Sequence, residues 1–239
     1  MIKALLTMLC VVFCTFPAMS FEKDVIKTSG GDLEITFIGH GTMMFKFAGK
    51  IIHIDPFSRV ADYKTLPKAD LIFLTHNHRD HLDMSALKHI VTKSTDLVFT
   101  ELCSKKTEGN VMKNGDIKEF MGIKVHAVPA YNLKHKRKNG KFYHPKGEGN
   151  GYVLTFGNKR LYIAGDTENV PEMKSLKNID YAFLPMNLPY TMTSEMAADA
   201  ARSFKPKVLY PYHYGKTDPT PIVKLLKNSG IEVRIRKMR

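Results

Sequence analysis

The chain has 239 residues, 44% hydrophobic and 25% charged, with a formal net charge of +13 at pH 7. That length suffices for one large domain with its own core, and the composition excludes a disordered, low-complexity or fibrous protein. The positive balance favours anionic partners.

Residues 1–20 (MIKALLTMLCVVFCTFPAMS) place Lys3 ahead of an apolar run and close on the small residues Ala18 and Ser20. The run is about 13 residues, short of the roughly 20 that span a bilayer. The pattern predicts a cleaved secretory signal. It therefore predicts an exported protein, periplasmic or secreted, with no stable membrane span after cleavage and one domain over 21–239. Cys10 and Cys14 would leave with the signal, and Cys103 remains, with no partner for an internal disulfide. It reads as a small buried thiol.

Strands are predicted at 33–39 (LEITFIG), 42–49 (TMMFKFAG) and 50–56 (KIIHIDP), short apolar or alternating runs ending at glycine or proline. The continuous apolar run 69–75 (ADLIFLT) predicts a central strand covered on both faces. A helix follows at 83–91, with Asp83 as its N-cap. Further strands are expected at 95–100, 123–130, 151–157, 160–166, 180–186 and 206–213. In 193–204 (TSEMAADAARSF), Met196, Ala197, Ala200, Ala201 and Phe204 fall on one helical face, and Pro206 stops the helix. A last helix is expected over 220–230, with Pro221 early and Gly230 just past its end. Many strands with a few helices predict a layered α/β domain. No internal repeat at a fixed period is visible.

Two basic segments, 134–141 (KHKRKNGK) and 234–239 (RIRKMR), read as a solvated loop and tail. Aromatics are not interleaved with them, so no single-strand stacking groove and no specific nucleic-acid partner are indicated.

The chemistry concentrates in 74–83 (LTHNHRDHLD), directly after the buried strand. His76 and His78 are two apart, which in extended backbone puts both imidazoles on one side. Asp80 and His81 follow as the chain turns toward the helix. Imidazole nitrogen with carboxylate oxygen suits zinc or a similar first-row metal. A chance H-x-H-x-D-H in such a chain is expected on the order of 10⁻³ times, so the motif is specific.

H-x-H-x-D-H after an apolar strand resembles the signature of the metallo-β-lactamase superfamily. AGDT (164–167) resembles that family's aspartate motif, YPYHYG (210–215) its last histidine motif, and 37–56 its opening hairpin. THNHRDHLD, AGDT, LPYTMTSEMA and YPYHYG resemble most the compact single-domain branch, which includes ascorbate-phosphate lactonase-like proteins and phospholipase D-like enzymes acting on N-acyl ethanolamine phospholipids. The resemblance implies a four-layer αβ/βα sandwich and a pair of zinc ions. It implies His76 and His78 on one ion, Asp80, His81 and His213 on the other, and Asp166 between them. One landmark departs from the pattern: where a third histidine for the first ion is expected, the chain has Pro129-Ala130-Tyr131-Asn132. An amide oxygen is a poor zinc ligand beside imidazole. His144 is the first candidate replacement and His135 the second; alternatively, His144 only shapes a loop, and one ion is weak or absent. Asp55 is expected to orient a ligand imidazole, and Tyr190, Asn132 and His40 are candidates for the substrate side. Asp80 is the catalytic candidate, binding metal and orienting the attacking hydroxide.

The implied function is an exported zinc hydrolase acting on a small anionic molecule, a phosphorylated or other anionic ester or a lactone. The alternatives are an iron-dependent redox member of the same superfamily and a non-catalytic metal-binding protein. Manganese or iron in place of zinc, and the oligomeric state, stay open.

Overall fold

The strands pair in the order in which the chain makes them. In the computed structural model, which describes residues 21–238, β1 (Glu22–Thr28), β2 (Gly31–Gly39), β3 (Thr42–Phe47), β4 (Lys50–Ile54), β5 (Leu71–Phe73), β6 (Asp96–Phe99) and β7 (Asn110–Val111) form one sheet in sequence order. The second sheet holds β8 (Ile117–Phe120), β9 (Ile123–Ala130), β10 (Gly149–Phe156), β11 (Lys159–Ile163), β12 (Tyr181–Pro185), β13 (Val208–Tyr212) and β14 (Glu232–Val233). Each sheet opens with three antiparallel pairings and closes with three parallel ones. The two halves thus repeat one topology although the sequence carries no visible repeat. The secretory signal expected at 1–20 lies outside the described residues.

Helices α1 (Met84–Ile90), α2 (Ser194–Phe204) and α3 (Pro221–Leu225) cover the outer faces. Asp83 caps α1 by accepting from Ser85 N. Thr193 caps α2, which buries Ala197, Ala198, Ala200, Ala201 and Phe204, with Met196 partly buried at the edge. The last helix is shorter than the 220–230 expected, because 226–230 forms turns. Two sheets with helices outside make an αβ/βα sandwich. Among the described residues no helix is long and apolar enough to cross a membrane.

The period-two alternation of strands divides the core. Along β5 and the residue after it, Leu71 and Phe73 join the cluster between the sheets, while Ile72 and Leu74 join a second cluster under α1. This is why residues 69–75 read as one unbroken apolar run. Between the sheets Phe73 meets Tyr152 at 5.2 Å, Phe45 meets Phe156 at 6.0 Å and Phe37 meets Phe183 at 6.5 Å between ring centroids. Hydrogen bonds stitch the sheets at one edge: Asn150 N donates to Thr75 O, Tyr152 OH to Leu74 O and His213 N to His40 O, at 2.9–3.0 Å. The loops leaving β2, β4, β5, β9, β11 and β13 all emerge at that edge. Cys103 is free and buried.

Candidate metal centre

Every histidine and aspartate of the sequence motifs sits in one of these loops. Residues 78–82 close a turn in which His81 N and Leu82 N both donate to His78 O, folding His81 back over His76. The ring centroids of His76 lie 4.5 Å from His78 and 4.1 Å from His81. Asp166 arrives three residues after Ile163, the last residue of β11, and His213 directly after β13. His40, Asp55 and His213 take left-handed backbone, with φ of 56°, 44° and 48°. Such a conformation costs a non-glycine residue about 1–3 kcal/mol and persists where the surrounding fold over-determines it, as at functional sites.

Asp166 is the hub. Its Oδ1 lies 3.5 Å from His81 Nε2 and 3.3 Å from His213 Nε2. Its Oδ2 lies 3.2 Å from His144 Nε2 and 4.0 Å from His76 Nε2. Asp80 Oδ2 closes the first group, 3.7 Å from His81 Nε2 and 3.8 Å from His213 Nε2. Three overlapping groups of potential ligands result: His76–His78–His144, His40–Asp80–His81–His213, and His76–His81–Asp166 between them.

The structure therefore places His144 against His76 and His78, at centroid distances of 5.1 and 4.9 Å. His135 turns away, its Nδ1 2.8 Å from Glu168 Oε1. Asn132 is, from the sequence, a candidate for the substrate side. It is buried behind His144, its Oδ1 accepting from His144 N at 2.7 Å and facing His144 Nδ1 at 2.9 Å. Its Nδ2 donates to Glu168 Oε1 and to Tyr190 O. With every polar atom engaged inside the protein, Asn132 has nothing to offer a ligand in the cleft.

The hydrogen bonds fix tautomers. The Asn132 oxygen can only accept, so His144 carries its proton on Nδ1 and turns an Nε2 lone pair to Asp166. Asp55 Oδ2 accepts from His81 Nδ1 at 2.7 Å and from Thr75 Oγ1 at 2.6 Å. Thr75 Oγ1, its proton given to Asp55, accepts from His76 Nδ1 at 3.0 Å. In each case the outer nitrogen is tied to the protein and Nε2 faces inward, the arrangement that prepares imidazole for a metal. Asp55 contacts the His81 ring in this way.

Electrostatics point the same way. Burial lowers His76 well below the ordinary imidazole value, His78 to about 4 and His213 to about 3, so all three are neutral donors at pH 7. Burial would raise Asp166, but the histidines around it, His213 and His81 foremost, outweigh that and hold its carboxyl well below the ordinary value. Burial would likewise raise Asp80, and the hydrogen bond from His40 with the charge of His81 holds it low. His81 is the exception: burial would lower it, but Asp166 and Asp55 together keep it protonated. A cation entering here would replace that proton.

His76 Nε2 and Asp166 Oδ1 are buried without a hydrogen-bond partner. Buried polar atoms normally find partners, and two orphans aimed into one cluster of imidazoles and carboxylates are what a first-row cation would satisfy. The donor set fits metal.

The cluster floors an open cleft of ≈ 440 Å³ lined also by His40, Arg79, Arg137, Tyr143, Asn187 and Tyr190. His40 Nε2 lies 3.0 Å from Asp80 Oδ2, its ring 3.8 Å from His213. Tyr190 meets Tyr143 edge-on at 4.9 Å. Arg137 comes from the segment read as a merely solvated loop; it lies over the Tyr143 ring, with its guanidinium 3.4 Å from His78 Nε2. Sequence reasoning missed Arg137 and Asn187, whose amide sits 3.4 Å from His213 Nδ1. Neither carries a motif.

The Beta-lactamase superfamily domain matches residues 34–213. A UPF0173 metal-dependent hydrolase of Nanoarchaeum equitans is 31% identical over 214 residues, covering 84% of this chain and 94% of its relative. A crystal structure from Parabacteroides distasonis, provisionally assigned as a metal-dependent hydrolase, is 50% identical with a TM-score of 0.88, covering 92% of this chain and 100% of that one. Igni18, a metallo hydrolase of Ignicoccus hospitalis, shares the fold at 24% identity and a TM-score of 0.69, covering 86% and 95% of the two chains. The chain belongs to the metallo-β-lactamase superfamily, and it is a metal-dependent hydrolase.

Proposed function

We propose that the protein is an exported hydrolase using two zinc ions, acting on a small anionic ester, a phosphorylated one before a lactone. The observation that carries this reading is the division of Asp166, one oxygen toward His81 and His213 and the other toward His76 and His144. His76, His78 and His144 would hold one ion and Asp80, His81 and His213 the other, with Asp166 between. When bound, the pair supplies Lewis acidity and lowers the pKa of water to about 7.

The remaining steps belong to the chain. No serine, threonine or cysteine is among the described residues lining the cleft, so water is the nucleophile. Asp80 is the most exposed carboxylate of the cluster and faces the cleft, where it orients that water. His40 steadies the Asp80 carboxylate through Oδ2. Arg137 and Arg79 receive the anionic group, and Tyr143 and Tyr190 wall the cleft around it. Export rests on the composition of residues 1–20 and would leave a chain beginning at Phe21.

The test is hydrolysis of bis(p-nitrophenyl) phosphate, a p-nitrophenyl ester and a lactone before chelation, after it, and after return of zinc. Chelation abolishes turnover and zinc restores it. Activity that survives thorough removal of metal overturns the reading.

A further inference from the structure

Glu168 is wholly buried, and no lysine or arginine pairs with it among the described residues. Instead it collects hydrogen bonds. Oε2 accepts from Leu133 N and Lys134 N, both at 2.8 Å. Oε1 accepts from His135 N at 2.7 Å and from Asn132 Nδ2 at 3.0 Å, and His135 Nδ1 approaches the same oxygen at 2.8 Å. Three successive backbone amides and one side-chain amide thus converge on one acid. Glu168 is itself two residues beyond Asp166, and its loop is pinned to the end of β9 by Glu168 N donating to Tyr131 O and Thr167 Oγ1 to Tyr131 O.

The receiving loop, 132–144, is closed at its neck. Asn132 N donates to His144 O at 2.8 Å, and His144 N to Asn132 Oδ1 at 2.7 Å. Between these ends lie the basic residues, with Arg137 on the cleft wall. A relay therefore runs from Glu168 through the Asn132 amide to His144 Nδ1. Glu168, together with the Tyr190 carbonyl, accepts from Asn132 Nδ2 and so fixes which end of that amide meets His144. The Asn132 oxygen then fixes the His144 tautomer.

We infer that Glu168 is the positioning residue of the centre: it replaces the rigidity of the usual third-histidine segment by locking the Asn132–His144 neck, so that His144 presents Nε2 to the first ion and Arg137 stands over the cleft. This rests on the reading of His144 as a ligand. The departure from the family pattern at Asn132 and the buried acid at 168 are then one adaptation. A loop-borne histidine needs its orientation supplied from outside, and Glu168 supplies it.

Glu168→Gln is the sharp variant. It keeps the shape but turns one acceptor oxygen into a donor. Whichever way the amide lies, two of the four donors face an NH₂ group. Supporting partners of this kind are worth about 10–100-fold in metal affinity. Zinc affinities of both sites are measured by competition with a chromophoric chelator, alongside the ¹⁵N shifts of the His144 ring in metal-free protein. Expected in Glu168→Gln is a loss of about 10–100-fold at one site and little change at the other. The His144 ring should also show a larger share of the Nε2–H tautomer than in the native protein. Asn132→Ala cuts the relay but keeps the Glu168–backbone bonds, and it gives the same selective loss should Glu168→Gln fail to fold. His144→Ala separates the two claims. If it leaves both sites at full affinity, His144 is no ligand and the underlying reading falls. If it weakens one site while Glu168→Gln and Asn132→Ala leave that site and the His144 tautomer untouched, the ligand stands and the positioning role is wrong.

Discussion

Replacing Asp55 by asparagine isolates how the fold prepares a ligand. The carboxylate is fully buried; Oδ1 accepts from Thr75 N at 2.7 Å, and Oδ2 faces Thr75 Oγ1 at 2.6 Å and His81 Nδ1 at 2.7 Å. The amide of an asparagine side chain has one acceptor oxygen for these positions. If that oxygen takes Thr75 N, the NH₂ faces His81 Nδ1. That nitrogen must then accept, the ring proton moves to Nε2, and His81 no longer offers a lone pair to metal. If the amide flips, two donors face each other at Thr75 N, and a buried N–H without a partner costs about 1–3 kcal/mol. At about 1.4 kcal/mol per decade this corresponds to about 5–150-fold in affinity, bracketing the effect usual for such supporting partners. The assay is zinc competition against a chromophoric chelator, with circular dichroism to verify the fold. The expected result is a loss of about one to two decades at the site holding His81 and a smaller loss at the other, which Asp55 reaches through Thr75 Oγ1 and His76 Nδ1. A folded Asp55→Asn protein that binds zinc within about twofold of the native affinity would refute the tautomer argument.

Three further outcomes follow from the protonation states and the cleft, and a fourth from the space around the rings. Zinc binding should release close to one proton per chain at neutral pH, the one held by His81; calorimetry in buffers of different ionisation enthalpy reads it, and no release would contradict the assignment. In metal-free protein His53 and His78 sit near 4 and His213 near 3, below the roughly 6.5 of an unfolded chain, so stability should fall as pH drops from about 6.5 toward 4, while the raised His81 contributes oppositely and loses its share as pH climbs; melting temperature against pH checks the sign. Arg137→Ala should raise KM for an anionic ester about tenfold with kcat and a neutral ester little affected, the discounted value of a charged hydrogen bond at an exposed position. Gly41→Ala puts a methyl 3.1 Å from His81 Cε1 and 3.3 Å from His213 Cδ2, rings that Asp55 and the sheet edge hold in place, so both metal affinity and the melting temperature of the metal-free protein should drop.

The parts of the fold that are legible in the sequence are those where periodicity and burial coincide. Residues 69–75 read as a two-faced strand because Leu71 and Phe73 enter one core and Ile72 and Leu74 the other. β1 and β8 escape a sequence reading, since charged residues make up four of seven and two of four positions, and of the two strands only Ile26 is buried. β7 and β14, two residues each, are too short to carry a pattern. The duplicated topology is invisible because it repeats backbone pairing and not side chains. At the site, His76, His78, Asp80 and His81 stand out because they are close in the chain. Asp166 and His213 need a family pattern to be singled out, because their chemistry arises only when β11 and β13 end beside β5. His144, Glu168 and Arg137 act from loops, where no period marks a residue, and only the closed neck at Asn132 explains them.

The measurement that bears most directly on the whole account is a crystal structure with zinc, with ions located by anomalous scattering. Two ions a few ångströms apart are expected, Asp166 giving one oxygen to each, with His76, His78 and His144 around one and Asp80, His81 and His213 around the other. A single ion, or a pair that leaves His144 turned away from the metals, would contradict it.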